Sequence, residues 1–250
     1  MNILYNKINI FLPTRKRVKN GILLRHLKYA EKYVSDPGRI LYTFLVDQDD
    51  VETLAFLSKK ENIPFEYCVV INAEVGAPNL AGFYNRMYRE TEFNSDEIIV
   101  SMVGDDMVWK SHGYDVRILD EINRKNGRAL VYCNDDYYQG ENLCVNLFTT
   151  RSVVEATGKD FMCPLFPVDH IDNIWMEFGR KTGLLVYLGE VILKHEHNRR
   201  KWRIFRDQTY ERLRQTVGES EVNLSLIEDY IDELVLHYND FWTNMKDAEC

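Results

Sequence analysis

The chain has 250 residues, of which 45% are hydrophobic and 28% charged, a balance typical of a folded soluble protein rather than a disordered one. Its formal net charge of -8 disfavours a protein that coats duplex DNA by neutralising phosphates. Since no apolar run approaches the roughly 20 residues that a membrane-spanning helix needs, we expect no membrane span.

The first hundred residues alternate predicted strands and helices. The predicted strands, rich in β-branched and aromatic residues, cover 7–13, 39–46, 64–70 and 97–103. The predicted helices between them, with apolar residues at helical spacing, cover 20–35, 51–60 and 79–90. This alternation predicts an α/β fold with a mostly parallel sheet flanked by helices.

The rest of the chain is mixed. Strands are predicted at 128–133, 143–149, 184–187 and 191–193, and a helix at 172–180. A final amphipathic helix is predicted at 221–242, beyond a core domain at 1–210, within a helical extension at 211–250. Three roles are open to this helix: packing on the core, which we favour, forming a homodimer, or shaping an acceptor site.

The cysteines are odd in number and form no C-x-x-C pair, which predicts reduced thiols, a cytoplasmic location and no zinc site. The five residues are Cys68, Cys133, Cys144, Cys163 and Cys250.

Polar side chains follow the predicted parallel strands where ligands of such sheets gather. Thr14, Arg15 and Arg17 follow the first strand, and Asp47 follows the second. These residues supply donors, cations and a hydrogen-bond acceptor for a nucleotide diphosphate. The alternatives are a charged turn for the first group and a helix N-cap at Asp47 or Asp50.

Asp105 and Asp106 follow the fourth predicted strand. Adjacent carboxylates repel one another and are costly to dehydrate, and a divalent cation removes both problems. Oxygen ligands with few protein groups suit Mg²⁺ or Mn²⁺. The alternative is a solvated polar turn.

Four further acids and two histidines are candidates for metal binding, for proton transfer or for acceptor binding. His195 and His197 alternate along an extended segment and are candidate metal ligands, or else surface histidines beside a solvated basic turn. Asp169 or Asp172 is a candidate general base, although Asp172 alternatively caps the following helix. Asp135 and Asp136 are candidates for binding acceptor hydroxyls, or else turn acids.

The ordered set of motifs resembles nucleotide-sugar glycosyltransferases of the GT-A fold, with a Rossmann-like mixed sheet, and above all the broad family 2-like group with its bacterial and phage members. The resemblance covers residues 8–210. It is carried by "FLPTRKR", "LVDQDD", "VGDDMVWKSHGYD", "VYCNDDYYQGENL", "VDHIDNIWMEFGRKTGLLVYL" and "HEHNRRKWRIFRDQTY".

The resemblance implies a donor site and a metal site. Thr14, Arg15 and Asp47 match positions that hold the nucleobase and ribose. Asp105 and Asp106 match the later acids of the D-x-D(-D) metal motif, whose first acid is replaced at Val103 or Gly104. It is therefore open which of the two aspartates binds the metal and which the ribose.

The resemblance also implies a mechanism. His197, or its rival His195, would complete the Mn²⁺ or Mg²⁺ site, and Lys201 would lie near the diphosphate. The metal and Lys201 would stabilise the departing diphosphate. Asp172 would accept the proton of the attacking hydroxyl, which implies inversion, although retention is not ruled out by the sequence.

Two other functions are weighed against this transferase. A nucleotidyltransferase is disfavoured because "FLPTRKR" contains no glycine for a phosphate loop. A catalytically inactive module that binds nucleotide or glycan stays open as an alternative because the first acid is missing. UDP is the nucleotide expected in the donor from the resemblance. We expect a saccharide acceptor, with a modified nucleic-acid base as the alternative.

Overall fold

The computed structural model describes residues 4–73, 79–91, 98–137, 140–166, 170–196 and 224–248. These residues form eight strands and seven α-helices. The strands are β1 Lys7–Thr14, β2 Ile40–Asp47, β3 Glu66–Asn72, β4 Ile98–Met102, β5 Met107–Trp109, β6 Leu130–Asn134, β7 Leu147–Thr150 and β8 Leu185–His195. The helices are α1 Ile22–Tyr33, α2 Val51–Leu57, α3 Leu80–Glu90, α4 Tyr114–Arg124, α5 Arg151–Ala156, α6 Ile171–Thr182 and α7 Leu224–Ala248.

The strands form one sheet in the order β3-β2-β1-β4-β7-β6-β8-β5. Neighbours from β3 to β4 are parallel, β7 runs antiparallel to both β4 and β6, and β8 is parallel to β6. The carboxyl ends of β1, β2, β3, β4, β6 and β8 therefore lie at one edge of the sheet. The α/β fold with a mostly parallel sheet is confirmed.

Both faces of the sheet are covered, which explains why the strands are almost continuously apolar. Along β1, Ile8, Ile10 and Leu12 point into one core cluster and Phe11 points into the other. Helices α1, α2 and α4 cover the first face, and α3, α5, α6 and α7 cover the second.

Helix α7 packs on this second face. It buries one side chain per turn, at Ile227, Ile231, Leu234 and Tyr238. Ion pairs of 2.6 Å join Glu233 to Lys159 and Asp232 to Lys181. The helix therefore contacts the core, while the domain boundary at 210/211 lies outside the described residues and stays a prediction, as does a homodimer.

The structure differs from the sequence prediction in the second half. The two short strands predicted at 184–187 and 191–193 are one strand, β8, because a bulge carries the chain across residues 189–191: pairing with β6 jumps from Leu188 to Ile192. Strand β5 and helices α4 and α5 were not predicted. No helix in the described ranges combines the length and apolar character needed to cross a bilayer.

Candidate active site

The predicted site residues that the structure describes gather at the edge of the sheet where the parallel strands end. Thr14 and Asp47 are the last residues of β1 and β2, and His195 is the last residue of β8. Asp105 and Asp106 form the turn between β4 and β5, and Met107, the first residue of β5, pairs with His195. Residues far apart in sequence are thus brought together by the sheet topology.

Asp105 is held on the β1 side of the site. Its Oδ2 accepts a hydrogen bond of 2.8 Å from the Thr14 hydroxyl, and its Oδ1 lies 3.8 Å from Arg17 Nη1. Each of these three residues is less than 10% exposed. Dehydration of the Asp105 carboxylate is therefore offset by a donor and a cation.

Asp106 faces the opposite side, towards β8. Its Oδ2 lies 3.4 Å from Nε2 of His195, and its carbonyl oxygen accepts the Glu196 N–H at 2.9 Å. Burial by itself would lower the pKa of His195. The charges of Asp106, Asp135 and Asp172, with the hydrogen bond to Asp106, outweigh burial, so the pKa is raised.

A carboxylate and an imidazole side by side are a donor pair that suits Mn²⁺. Within the described residues, no three His, Cys, Asp or Glu side chains come together as a metal site. Mn²⁺ and Mg²⁺ commonly keep waters and take oxygens from substrate phosphates, so two protein ligands fit such an ion. His197, the predicted third ligand, lies outside the described residues, as do Lys201 and Asp169.

A second group of charges lies at the ends of β1 and β2. The Arg15 guanidinium contacts Asp47 and donates to both carboxylate oxygens of Asp49, at 2.8 and 2.9 Å. Burial opposes the charge on Arg15, but the hydrogen bonds to Asp49 and Asp47 raise its pKa overall. The arginine lowers the pKa of Asp49 in turn.

Asp47 also accepts from Asn72 on β3, which is itself bonded to Arg86 on α3. Asn72 Nδ2 donates to Asp47 Oδ1 at 2.5 Å, and Arg86 Nη1 donates to Asn72 Oδ1 at 3.2 Å. Of the two acids considered as helix caps, Asp50 is the cap, because its carboxylate accepts the Thr53 N–H. Asp47 is therefore not used as the cap, and its carboxylate lies at the site edge with Arg15 and Asn72 as partners.

Asp172 lies in the first turn of α6 and is half-buried. It does not occupy the N-cap position, which belongs to His170, and its carboxylate accepts a hydrogen bond from the Asn173 N–H at 2.9 Å. Its charge contributes to the raised pKa of His195, which places it within electrostatic reach of the site.

Asp135 and Asp136 differ in environment. Asp135 is fully buried, its carboxylate accepts the Tyr137 N–H at 3.4 Å, and its carbonyl oxygen accepts the His195 N–H at 2.9 Å. Asp136 is exposed and pairs with Lys194 at 2.7 Å. Asp135 therefore supports the strand end that carries His195.

Sequence reasoning missed His26. It is fully buried, its Nδ1–H donates to the Met107 carbonyl at 2.6 Å, and its Nε2 accepts from the Tyr42 hydroxyl at 2.9 Å. Burial lowers the pKa of His26 to about 4. Its position among the apolar residues of α1 conceals it in the sequence. No motif contains Asn72 or Arg86, and Asp49 lies within "LVDQDD" but carries no signal that separates it from Asp47 and Asp50.

Solved structures share this architecture. Mannosyltransferase PcManGT from Pyrobaculum calidifontis, in complex with GDP-Man and Mn²⁺, has a TM-score of 0.56 and 12% identity over 98% of this chain and 76% of that one. S. aureus TarS 1-349 in complex with UDP-GlcNAc has a TM-score of 0.57 and 9% identity over 94% and 73%. The chain has the GT-A fold.

The GT-A likeness extends to a longer chain. Against another S. aureus TarS structure, the TM-score is 0.53, with 75% of this chain aligned to only 35% of that one. No family model and no curated protein matches the sequence.

Proposed function

We propose that this protein transfers a sugar from a nucleotide-diphosphate sugar, a UDP-sugar in the first instance, to an acceptor hydroxyl with help from Mn²⁺ or Mg²⁺ and with inversion. The observation that carries the proposal is the separation of the two adjacent aspartates. Asp105 turns to Thr14 and Arg17, and Asp106 turns to His195. The GT-A fold supports it, since solved neighbours hold GDP-Man with Mn²⁺ and UDP-GlcNAc.

The separation suggests different roles for the two acids. Asp106 and His195 would hold the metal, with His197 as a further ligand. A bound cation would supply positive charge to the departing diphosphate. Asp105, already bonded to a hydroxyl and close to an arginine, would accept from the donor ribose.

The donor would be bound by the ends of β1 and β2. Arg15 and Asp47 would exchange their mutual contact for contacts to the base and ribose, while Thr14 and Arg17 would position the ribose and phosphates next to Asp105. Lys201 would add a cation beside the diphosphate. Bidentate arginine contacts suit such anions.

Asp172 would accept the proton of the attacking hydroxyl, with Asp169 as the rival base. A base opposite the leaving group gives inversion. Exposed Asp136 is better placed than buried Asp135 to bind acceptor hydroxyls directly. A cytoplasmic location completes the proposal, and the acceptor is a saccharide or, as the alternative, a modified nucleic-acid base.

Thermal unfolding with nucleotide-sugars, with and without Mn²⁺, tests the donor site, because a ligand that binds only the folded state raises the melting temperature. We expect a UDP-sugar to raise it further when Mn²⁺ is present. Asp106→Asn should remove the Mn²⁺-dependent part and the hydrolysis of the UDP-sugar. Asp240→Asn, at an exposed position on α7, is the matched control. The proposal is wrong if no nucleotide-sugar shifts the melting curve at millimolar concentration.

A non-catalytic binding module is the second candidate. The first acid of the family motif is replaced here at Val103 or Gly104. Val103 is fully buried, and its carbonyl oxygen accepts a hydrogen bond of 2.9 Å from the Tyr84 hydroxyl. A module of this kind would show the same melting shift but no hydrolysis or transfer with any Mn²⁺ concentration.

A further inference from the structure

A group of cationic and aromatic side chains lies on the outer face of α1 and on the loop after β5. We call it the basic aromatic patch; it consists of Arg25, Tyr29, Lys32, Tyr33, Lys110 and His112. The helical members recur every three or four residues and so share one face of α1, opposite the buried Leu23 and Leu27.

The rings and cations of the patch are ordered against one another. Tyr29 and Tyr33 are stacked with centroids 6.0 Å apart, and His112 lies 4.7 Å from Tyr33. Lys110 Nζ lies 3.9 Å from the Tyr29 ring centre, and Lys32 Nζ lies 5.1 Å from that of Tyr33. Such contacts hold flexible lysine side chains in place, which lowers the entropy lost when an anion binds.

The charge of the patch opposes that of the molecule. The chain as a whole carries -8, yet exposed Lys28 and Lys32 and half-buried Lys110 concentrate positive charge on this face. Arg25 adds a fourth cation that is paired with Glu196 at 2.6 Å. An acidic protein with a local basic face is suited to a polyanionic partner.

The patch is joined to the candidate active site. Glu196, the partner of Arg25, directly follows His195. Met107, the first residue of β5, pairs with His195, and Lys110 directly follows the strand. A chain lying on the patch would therefore reach the metal-binding corner at one end.

We propose that the basic aromatic patch binds single-stranded nucleic acid and presents it as acceptor to the site. The acceptor role rests on the proposed transferase function, whereas the binding of nucleic acid to the patch does not. Cations with interleaved rings are the combination that single-strand binders use: the cations follow the phosphates and the rings stack on bases. A saccharide polymer with acidic groups would also be attracted by the cations, so competition by such a polymer tests the choice of nucleic acid.

Fluorescence anisotropy with a labelled oligothymidylate, without any donor, tests the patch. Lys32 and Lys110 of the patch, together with neighbouring Lys28, predict a slope of about -2 for log affinity against log salt, at about -0.7 per neutralised phosphate. Lys32→Glu with Lys110→Glu should weaken binding at least about tenfold and flatten the slope to about -0.7, because one of the three lysines remains. Lys59→Glu with Lys60→Glu, two exposed lysines between α2 and β3, is the matched control and should bind as the wild type does.

A second variant separates rings from charge. Tyr29→Leu keeps apolar packing and should weaken oligothymidylate binding about fivefold or more while leaving the salt slope unchanged, because stacking releases no counterions.

Three results would overturn the inference: no binding by the wild type, equal losses in the patch variant and its control, or equal competition by polygalacturonate at the same charge. If the oligothymidylate fails to bind while a UDP-sugar still raises the melting temperature, the patch inference fails and the transferase proposal stands.

Discussion

The two halves of the sheet build their parts of the site in different ways. From β3 to β4 the strands are parallel, and β1, β2 and β3 end in polar residues at the same edge. From β7 to β5 the pairing is mixed, and the residues that meet there are Asp106 and His195, which are far apart along the chain. The first half places the candidate donor-binding residues by repetition of parallel strand ends, and the second brings the candidate metal ligands together by long-range strand pairing.

The sharpest test of this division is Asp172→Asn, in the second half. If Asp172 is the base, turnover should fall by about 10² to 10⁴, because an amide cannot accept the hydroxyl proton. Donor affinity should stay within about twofold, since the donor groups lie in the other half. Steady-state kinetics and the melting shift with UDP-sugar measure the two separately. An unchanged turnover would transfer the role of base to Asp169 or another group.

His26 links the halves, since it bonds Tyr42 on β2 and Met107 on β5. Its folded pKa of about 4 lies below the ordinary 6.5, so the unfolded chain binds more protons between these values. The contribution of neutral His26 to the free energy of unfolding is fully present above pH 6.5 and is lost as the pH falls from there through 4. The loss amounts to about 3 kcal/mol.

Urea unfolding between pH 7 and pH 4.5 measures this effect. His26→Gln lowers stability at pH 7 but should show a flatter decline on acidification, because glutamine does not titrate. Equal slopes in the two proteins would show that other groups cause the acid sensitivity.

The smallest expected effect is that of Asn72→Ala, in the first half. Removing the amide that donates to Asp47 should raise KM for the donor about tenfold, the size expected for a hydrogen bond to a charged group. Turnover at saturating donor should stay nearly constant. Asn239→Ala, at an exposed position on α7, is the control. A fall in turnover without a change in KM would place Asp47 in the chemistry instead.

The same difference between halves explains how far the sequence could predict the structure. The parallel half follows local patterns, so its strands, its helices and the positions of Thr14, Arg15 and Asp47 were predictable. The pairing of β5 with β8 is set by tertiary packing, so a three-residue strand at Met107–Trp109 carries no periodic signal. Helix α4 did carry one, in Ile118, Leu119 and Ile122, and it was overlooked.

Asn72 shows a second limit. Asn72 matters because it contacts Asp47 from the neighbouring strand, and such a contact cannot be read from the sequence. In the sequence, an isolated asparagine at a strand end predicts only a turn. The division of labour between Asp105 and Asp106 was left open for the same reason, because it depends on which partners the fold brings to each carboxylate.

The bulge in β8 has a consequence for any attempt to re-engineer this corner of the molecule. Side chains alternate between the two faces of a strand, and the bulge inserts three residues, 189–191, ahead of the segment that ends at His195. Leu188 and Val191 both point into the first core cluster although they are three residues apart, so the bulge interrupts this alternation. Beyond the bulge, the face of each side chain is set by pairing with β6 and β5, and His195 meets Asp106 because Met107 is its partner across the strands. An engineered bulge of another length would therefore preserve this corner only if it preserved these two pairings.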